Sequence, residues 1–212
     1  MGEKGLLFDT VKKALKHSFI YGFGTSFAAV VGVILIPLYT RKLAPSEYGV
    51  YSLINIIFTL LVFVCDFGMI NALFRWIYQY REEEVALRKR VASTALVFLA
   101  ALSAVLTFML WNCAASMSFV IFKNSDYACL IRLMLVSVFL QSLTWVPLSL
   151  LRIREKPMTL VSIVMSGMAV MVLFNFIFLS RGMGLKGIYK AYIISYMFML
   201  FPLFYVTRSY YT

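Results

Sequence analysis

VYSLINIIFTLLVFVCDFGMINALF, residues 50–74, decides the fold class of this chain. Asp66 is its one charged side chain, and the rest is apolar or neutral. About 20 mostly apolar residues let a helix cross the hydrocarbon core of a bilayer, so the stretch reads as a membrane span. Basic residues stand on both flanks, Arg41 and Lys42 before it and Arg75 directly after it, outside the hydrocarbon.

Five more stretches of this kind lie at residues 18–39, 91–111, 127–150, 158–179 and 187–206, and an apolar region at 112–122 is placed in the membrane interface. The expected fold is all-α, a polytopic membrane protein of about six transmembrane helices filling residues 18–206. The whole chain agrees with this. It is 62% hydrophobic and 14% charged, with a mean hydropathy of +0.88. A soluble domain carries about 25% charged and about 45–50% apolar residues. Buried soluble helices would also need polar faces, which these segments lack.

The 20 lysines and arginines fall almost entirely between the spans, as the cost of burying charge requires, and Arg132 and Lys190 stand near the outer ends of theirs. With the N-terminus inside, thirteen lie on inner segments and seven on outer ones, which places both termini in the cytoplasm. Residues 207–212 then form a cytoplasmic tail or the start of a linker. In residues 1–17, Leu7, Val11 and Leu15 share a helical face flanked by Lys12, Lys13 and Lys16, the pattern of an interfacial basic amphipathic helix. The net charge of +11 is attributed to anionic lipid headgroups and not to nucleic acid, because the basic residues cap separate helices.

Polar residues inside the spans are the functional candidates. At about 100° per residue, Ser52, Asn55, Thr59 and Asp66 fall within an arc of about 60° on one helix. Such a stripe either makes interhelical hydrogen bonds or lines a hydrated cavity in which Asp66 binds a cation or proton. Ser137, Gln141 and Thr144 repeat the pattern on the fourth span, with Pro147 beyond them as a possible kink. Gly24, Ala28 and Gly32 form a small-residue ridge on the first span, and Pro37 marks its outer end. Tyr189, Tyr192 and Tyr196 make an aromatic stripe suited to helix packing or to stacking on sugar rings, and Asn175 is expected to bond between helices.

No enzymatic role is expected. The single histidine, His17, sits in the basic N-terminal segment, and Glu82, Glu83 and Glu84 read as a solvated loop beside Arg81 and Arg88. Cys65, Cys113 and Cys129 are odd in number and lie in or near spans, so neither disulfides nor a metal site is expected. No cofactor is implied.

Several local patterns resemble one family. Pro37–Leu38–Tyr39–Thr40–Arg41–Lys42–Leu43–Ala44–Pro45–Ser46–Glu47–Tyr48–Gly49–Val50–Tyr51 is similar to the first hairpin of bacterial polysaccharide flippases, the O-antigen and capsule-precursor transporters of the multidrug/oligosaccharidyl-lipid/polysaccharide exporter superfamily. Asp66–Phe67–Gly68–Met69 with Ala72 and Arg75 resembles that family's aspartate-glycine-arginine pattern. Leu151–Arg152–Ile153–Arg154–Glu155–Lys156–Pro157 and Gly184–Leu185–Lys186–Gly187–Ile188–Tyr189 resemble two of its loops.

The resemblance implies a multi-pass protein of the bacterial cytoplasmic (inner) membrane. It would flip lipid-linked oligosaccharides of the polyprenyl pyrophosphate type by alternating access, coupled to Na+ or H+. It makes Arg41 and Arg75 candidates for the pyrophosphate, since a guanidinium fork matches two oxygens at once. It also implies that this chain is the N-terminal lobe of a two-lobe transporter, as a fragment or as a half-transporter that pairs with a second copy. A drug/cation antiporter of the same superfamily, or a non-transporting scaffold subunit of a glycan-synthesis complex, are the competing readings.

Overall fold

The computed structural model describes residues 22, 26–27, 29–79 and 84–211. The interfacial segment 1–17, Gly24 and Ala28 of the small-residue ridge, Arg81, Glu82 and Glu83, and Thr212 lie outside the described residues. The described residues form helices joined by short turns. They are α1 (29–42), α2 (Pro45–Asp66), α3 (Met69–Gln79), α4 (Val85–Asn112), α5 (Ala114–Phe122), α6 (Ala128–Ile153), α7 (Pro157–Ser180) and α8 (Gly184–Thr207), with a 3-10 turn at Arg208–Tyr210.

Five segments are long and apolar enough to cross a membrane: Pro45–Gln79, Val85–Asn112, Ala128–Ile153, Pro157–Ser180 and Gly184–Tyr210. The first expected span adds α1, of which 29–42 is described. Large apolar side chains such as Val33, Phe63, Val97, Phe108 and Phe201 point outward, more than 60% exposed. Lipid is the solvent that makes such a surface stable. The chain is a multi-pass membrane protein.

Several expected boundaries move, and α2 and α4 begin at Pro45 and Val85 and not at 50 and 91. The helix of the first span does not stop at Pro37 but runs on to residue 42, with the Thr40 hydroxyl donating to the Pro37 carbonyl at 3.3 Å. The second span is not one helix. It breaks at Phe67 and Gly68, both left-handed at φ 46° and 73°, and resumes as α3. Glycine enters that region without a Cβ penalty, which lets the break form there. Asp66 bridges it, its carboxylate accepting the backbone N–H of Ile70 at 3.2 Å. The orphan amides of a helix start favour such an acceptor.

At the other end of α2, Pro45 occupies the first turn and the Glu47 carboxylate reaches back to accept the Ala44 N–H at 3.0 Å. Glu47 lies 3.6 Å from the position of a Cβ on Gly184, so the α1–α2 and α7–α8 turns meet at one end of the bundle. At the opposite end, Arg154 and Lys156 lie over the Tyr210 ring at 5.0 and 5.9 Å. Tyr210 and Tyr211 pack there against a core containing Leu73, Ile77, Ala92 and Leu150, so Arg208–Tyr210 is folded onto the bundle.

α6 is the central helix, in contact with α2, α3, α4, α5, α7 and α8. Ile131, Met134, Leu135, Val138 and Val146 are at most 1% exposed on it. It continues through Pro147 to Ile153 as one helix. α7 and α8 form the tightest pair, because Gly167 and Gly187 let the backbones approach. A Cβ on Gly167 would sit 2.3 Å from Met199 Cγ, and one on Gly187 2.8 Å from Phe178 Cβ.

Candidate functional site

A cavity of about 600 Å³ opens between α1, α2, α6, α7 and α8. α1 contributes Val31, Gly32, Leu35, Ile36 and Tyr39, and α2 contributes Tyr48 and Tyr51. The floor on α6 is Gln141, Thr144, Trp145, Leu148 and Arg152, one side of a single helix. Met168 and Met171 of α7, and Tyr192, Ser195 and Tyr196 of α8, close the far wall.

One part of this cavity is a tyrosine cluster. The Tyr39 and Tyr51 rings meet edge to face with centroids 5.1 Å apart, and Tyr48 lies 6.1 Å from Tyr51. The Tyr51 and Tyr192 hydroxyls are 3.5 Å apart, and the Tyr192 and Tyr196 rings are 6.4 Å apart. Tyr39 is fixed from behind by donating to Asn175 Oδ1 at 3.1 Å, the expected interhelical bond of Asn175. Such rings present flat apolar faces with polar rims, suited to a ligand that is apolar on its faces and hydroxylated at its edges.

Gln141 and Thr144 both line the cavity, but the Thr144 hydroxyl is turned back to the Gln141 carbonyl at 2.7 Å. Gln141 Oε1 is buried without a hydrogen-bond partner. Ser137, expected beside them, does not line this cavity. It is fully buried between α6 and α8, donating to Leu133 O at 3.0 Å and lying 3.4 Å from Tyr189 O. It joins helices, because α8 packs directly over that turn of α6. Gly32 meets no close neighbour where a Cβ would stand, so it lines open space and is not a packing contact.

The stripe on α2 divides in the same way. Ser52 donates to Tyr48 O at 3.0 Å, and the exposed Thr59 to Asn55 O at 2.9 Å, so both hydroxyls are satisfied within their own helix. Asn55 is half-buried, and none of the three lines the cavity. At about 100° per residue Tyr48 falls within the same arc and Tyr51 beside it, so the stripe and the cavity tyrosines lie on neighbouring parts of α2, with only the tyrosines bordering the cavity.

Asp66 lines a neighbouring cleft of about 250 Å³ with Ile70, Asn71, Trp145, Leu148, Ser149 and Arg152. Arg41 and Arg75 are both exposed and line neither space. They lie at opposite ends of the bundle, Arg41 in the last turn of α1 and Arg75 on α3 near the Tyr210 end, so the structure does not bring them together. Arg132, half-buried on α6, sits 5.7 Å over the Trp111 ring.

Arg152 was not singled out by sequence reasoning as a site residue, yet it borders both spaces. Its signal was its place in the last turn of α6, where a long side chain can turn back along the helix. The tyrosines of the first hairpin were also missed. Tyr48 and Tyr51, three residues apart, share a face of α2.

A family model described as polysaccharide biosynthesis protein matches residues 38–211, which include the cavity wall apart from Val31, Gly32, Leu35 and Ile36 of α1. The chain belongs to the polysaccharide biosynthesis protein family. No curated protein and no solved structure matches it. For this polysaccharide biosynthesis protein the family places the chain in a membrane-linked step of polysaccharide synthesis or transport. Within the matched residues, the tyrosine cluster, Gln141 and Arg152 form one continuous surface, with Asp66 in the adjoining cleft.

Proposed function

We propose that this protein is one lobe of a flippase that carries lipid-linked oligosaccharides across the bacterial cytoplasmic membrane by alternating access. Both termini lie in the cytoplasm on this reading, and a second lobe or a second copy supplies the opposing wall. The observation that carries the proposal is the composition of the cavity. Tyrosine faces at one part suit sugar rings, Gln141 offers a polar contact, and Arg152 is the one charged side chain among the described lining residues. A cavity with a cation and no carboxylate favours an anionic ligand, and a polyprenyl pyrophosphate supplies two phosphates beside an apolar tail. Asp66, half-buried near the end of α2, is the residue proposed to couple Na+ or H+ to the conformational change.

The test is genetic rescue. Expression in a bacterial strain lacking its own oligosaccharide flippase should restore surface polysaccharide, and Asp66→Asn should abolish that rescue at unchanged expression. Drug resistance without restored polysaccharide would indicate a drug/cation antiporter. Co-purification with glycan-synthesis enzymes, no rescue, and tolerance of Asp66→Asn would indicate a scaffold subunit.

A further inference from the structure

On the bilayer side of the bundle, α4 and α6 enclose a groove of about 360 Å³. Ala104, Thr107, Phe108 and Trp111 of α4 and Phe139 of α6 line it, and none of them carries a charge. The α4 positions recur at i, i+3, i+4 and i+7, so the groove follows about two turns of that helix. Phe108 is 70% exposed and Trp111 40%, so it opens outward and not into the bundle.

A cation stands at one end of this groove. Arg132, half-buried in the second turn of α6, lies 5.7 Å over the Trp111 ring. The ring holds the guanidinium at the groove mouth by cation–π attraction, which strengthens where water is excluded. Arg132 Nε is buried with no hydrogen-bond partner among the described residues. A cation within a span is costly unless an anion meets it, so this one calls for a partner from outside the bundle.

The site is separate from the main cavity. At about 100° per residue, Arg132 and Phe139 lie within about 20° of each other on α6 and about 160–180° from Gln141. A ligand of the groove therefore arrives from the bilayer, with α6 between it and the tyrosine-lined cavity.

We propose that this groove binds one anionic phospholipid of the surrounding bilayer, its phosphate on Arg132 and one acyl chain between α4 and α6. The terminal nitrogens of a guanidinium meet two phosphate oxygens at once, and apolar walls match a hydrocarbon chain. Charge complementarity selects the headgroup, because Arg132 supplies one positive charge and the groove lining supplies no negative one. A zwitterionic lipid brings its own cation to the same place and gains less. The lipid is a resident one and not the cargo, since the site faces away from the cavity.

The purified full chain, reconstituted in phosphatidylcholine bilayers, tests this. With Trp76→Phe and Trp145→Phe, Trp111 is the remaining one of the 3 tryptophans, and it borders the groove. A lipid with brominated chains quenches its emission when seated beside it. Brominated phosphatidylglycerol should occupy the site about fivefold more strongly than brominated phosphatidylcholine, the ratio given by about 1 kcal/mol per arginine at an anionic headgroup. Arg132→Gln should bring that ratio to about one.

Ala104→Phe, at an exposed position, fills the groove while Arg132 stays. It should also lower the preference, which keeps the test open if Arg132→Gln folds poorly. Equal quenching by the two lipids in the protein with both residues intact, or a preference that survives either substitution, overturns the site. Excess inorganic phosphate, and farnesyl pyrophosphate at equal mole fraction, should leave the phosphatidylglycerol quenching unchanged. Relief by phosphate would reduce the site to an anion contact, and relief by farnesyl pyrophosphate would assign it to the cargo. Either result overturns the resident phospholipid and leaves the flippase reading standing.

Discussion

The hydroxyl of Ser195 donates to the carbonyl oxygen of Gly167 across 2.7 Å, joining α8 to α7 at the level where Met199 lies over the glycine. A main-chain carbonyl already engaged in its own helix thus accepts a second bond. It does so because no side chain at residue 167 keeps α8 away. Small residues at close crossings do the work in lipid that apolar burial does in water.

Gly167→Val should therefore force the two helices apart. Overpacking of this kind costs about 1–3 kcal/mol. Thermal unfolding in detergent should show a lower midpoint than wild type. An unchanged midpoint would mean that Met199 swings aside without cost.

Tyr39→Phe tests the bond from α1 to Asn175 on α7. Interhelical hydrogen bonds in membranes contribute about 0.6 kcal/mol on average, so the loss should be small and confined to the hydroxyl. Asn175→Leu should remove the same bond, and the double variant should cost no more than the larger single one. Additive losses would show that the two groups act separately.

The break between α2 and α3 makes a paired prediction. Gly68→Ala places a Cβ at φ 73° and should destabilise by about 1–2 kcal/mol. Phe67, at φ 46° and 78% exposed, already bears such strain, so Phe67→Gly should stay within about 1 kcal/mol of wild type. Equal losses in the two variants would argue against the left-handed turn.

Gln141 separates a role in transport from a role in packing. Its Oε1 is buried without a partner, a state that costs about 1–3 kcal/mol for a neutral group. Gln141→Leu should keep or raise the unfolding midpoint while lowering rescue of surface polysaccharide. Loss of both together would make Gln141 a structural residue.

Orientation is read by chemical labelling. In a background with the three cysteines replaced by serine, a membrane-impermeant maleimide should label Ser125→Cys in intact cells and Arg154→Cys only after lysis. Both positions are exposed, and they lie at opposite ends of α6. The reverse pattern would place the termini outside.

Much of the fold was legible because bilayer thickness and hydropathy act on each segment alone. The expected 127–150, 158–179 and 187–206 became α6, α7 and α8 with ends displaced by three residues or fewer. The break at Phe67 and Gly68 was not legible, since its cause is a turn inside an unbroken apolar run. The candidate site was legible in part. Gln141 and Thr144 share a helical face on any straight α6, and they do line the cavity. Ser137 has the same periodicity but is covered by α8.

By itself the amino-acid sequence determined that lipid surrounds this chain, how many helices cross it to within one, and where charge is permitted. Each of these follows from the cost of moving one segment out of water. Which polar residues face one another was decided only by tertiary structure, because it depends on how separate helices rotate and close on each other. Arg152 shows the difference. Its sequence position says only that a cation ends α6, whereas the packing of α2, α3 and α8 around that end sets it between a tyrosine-lined cavity and Asp66.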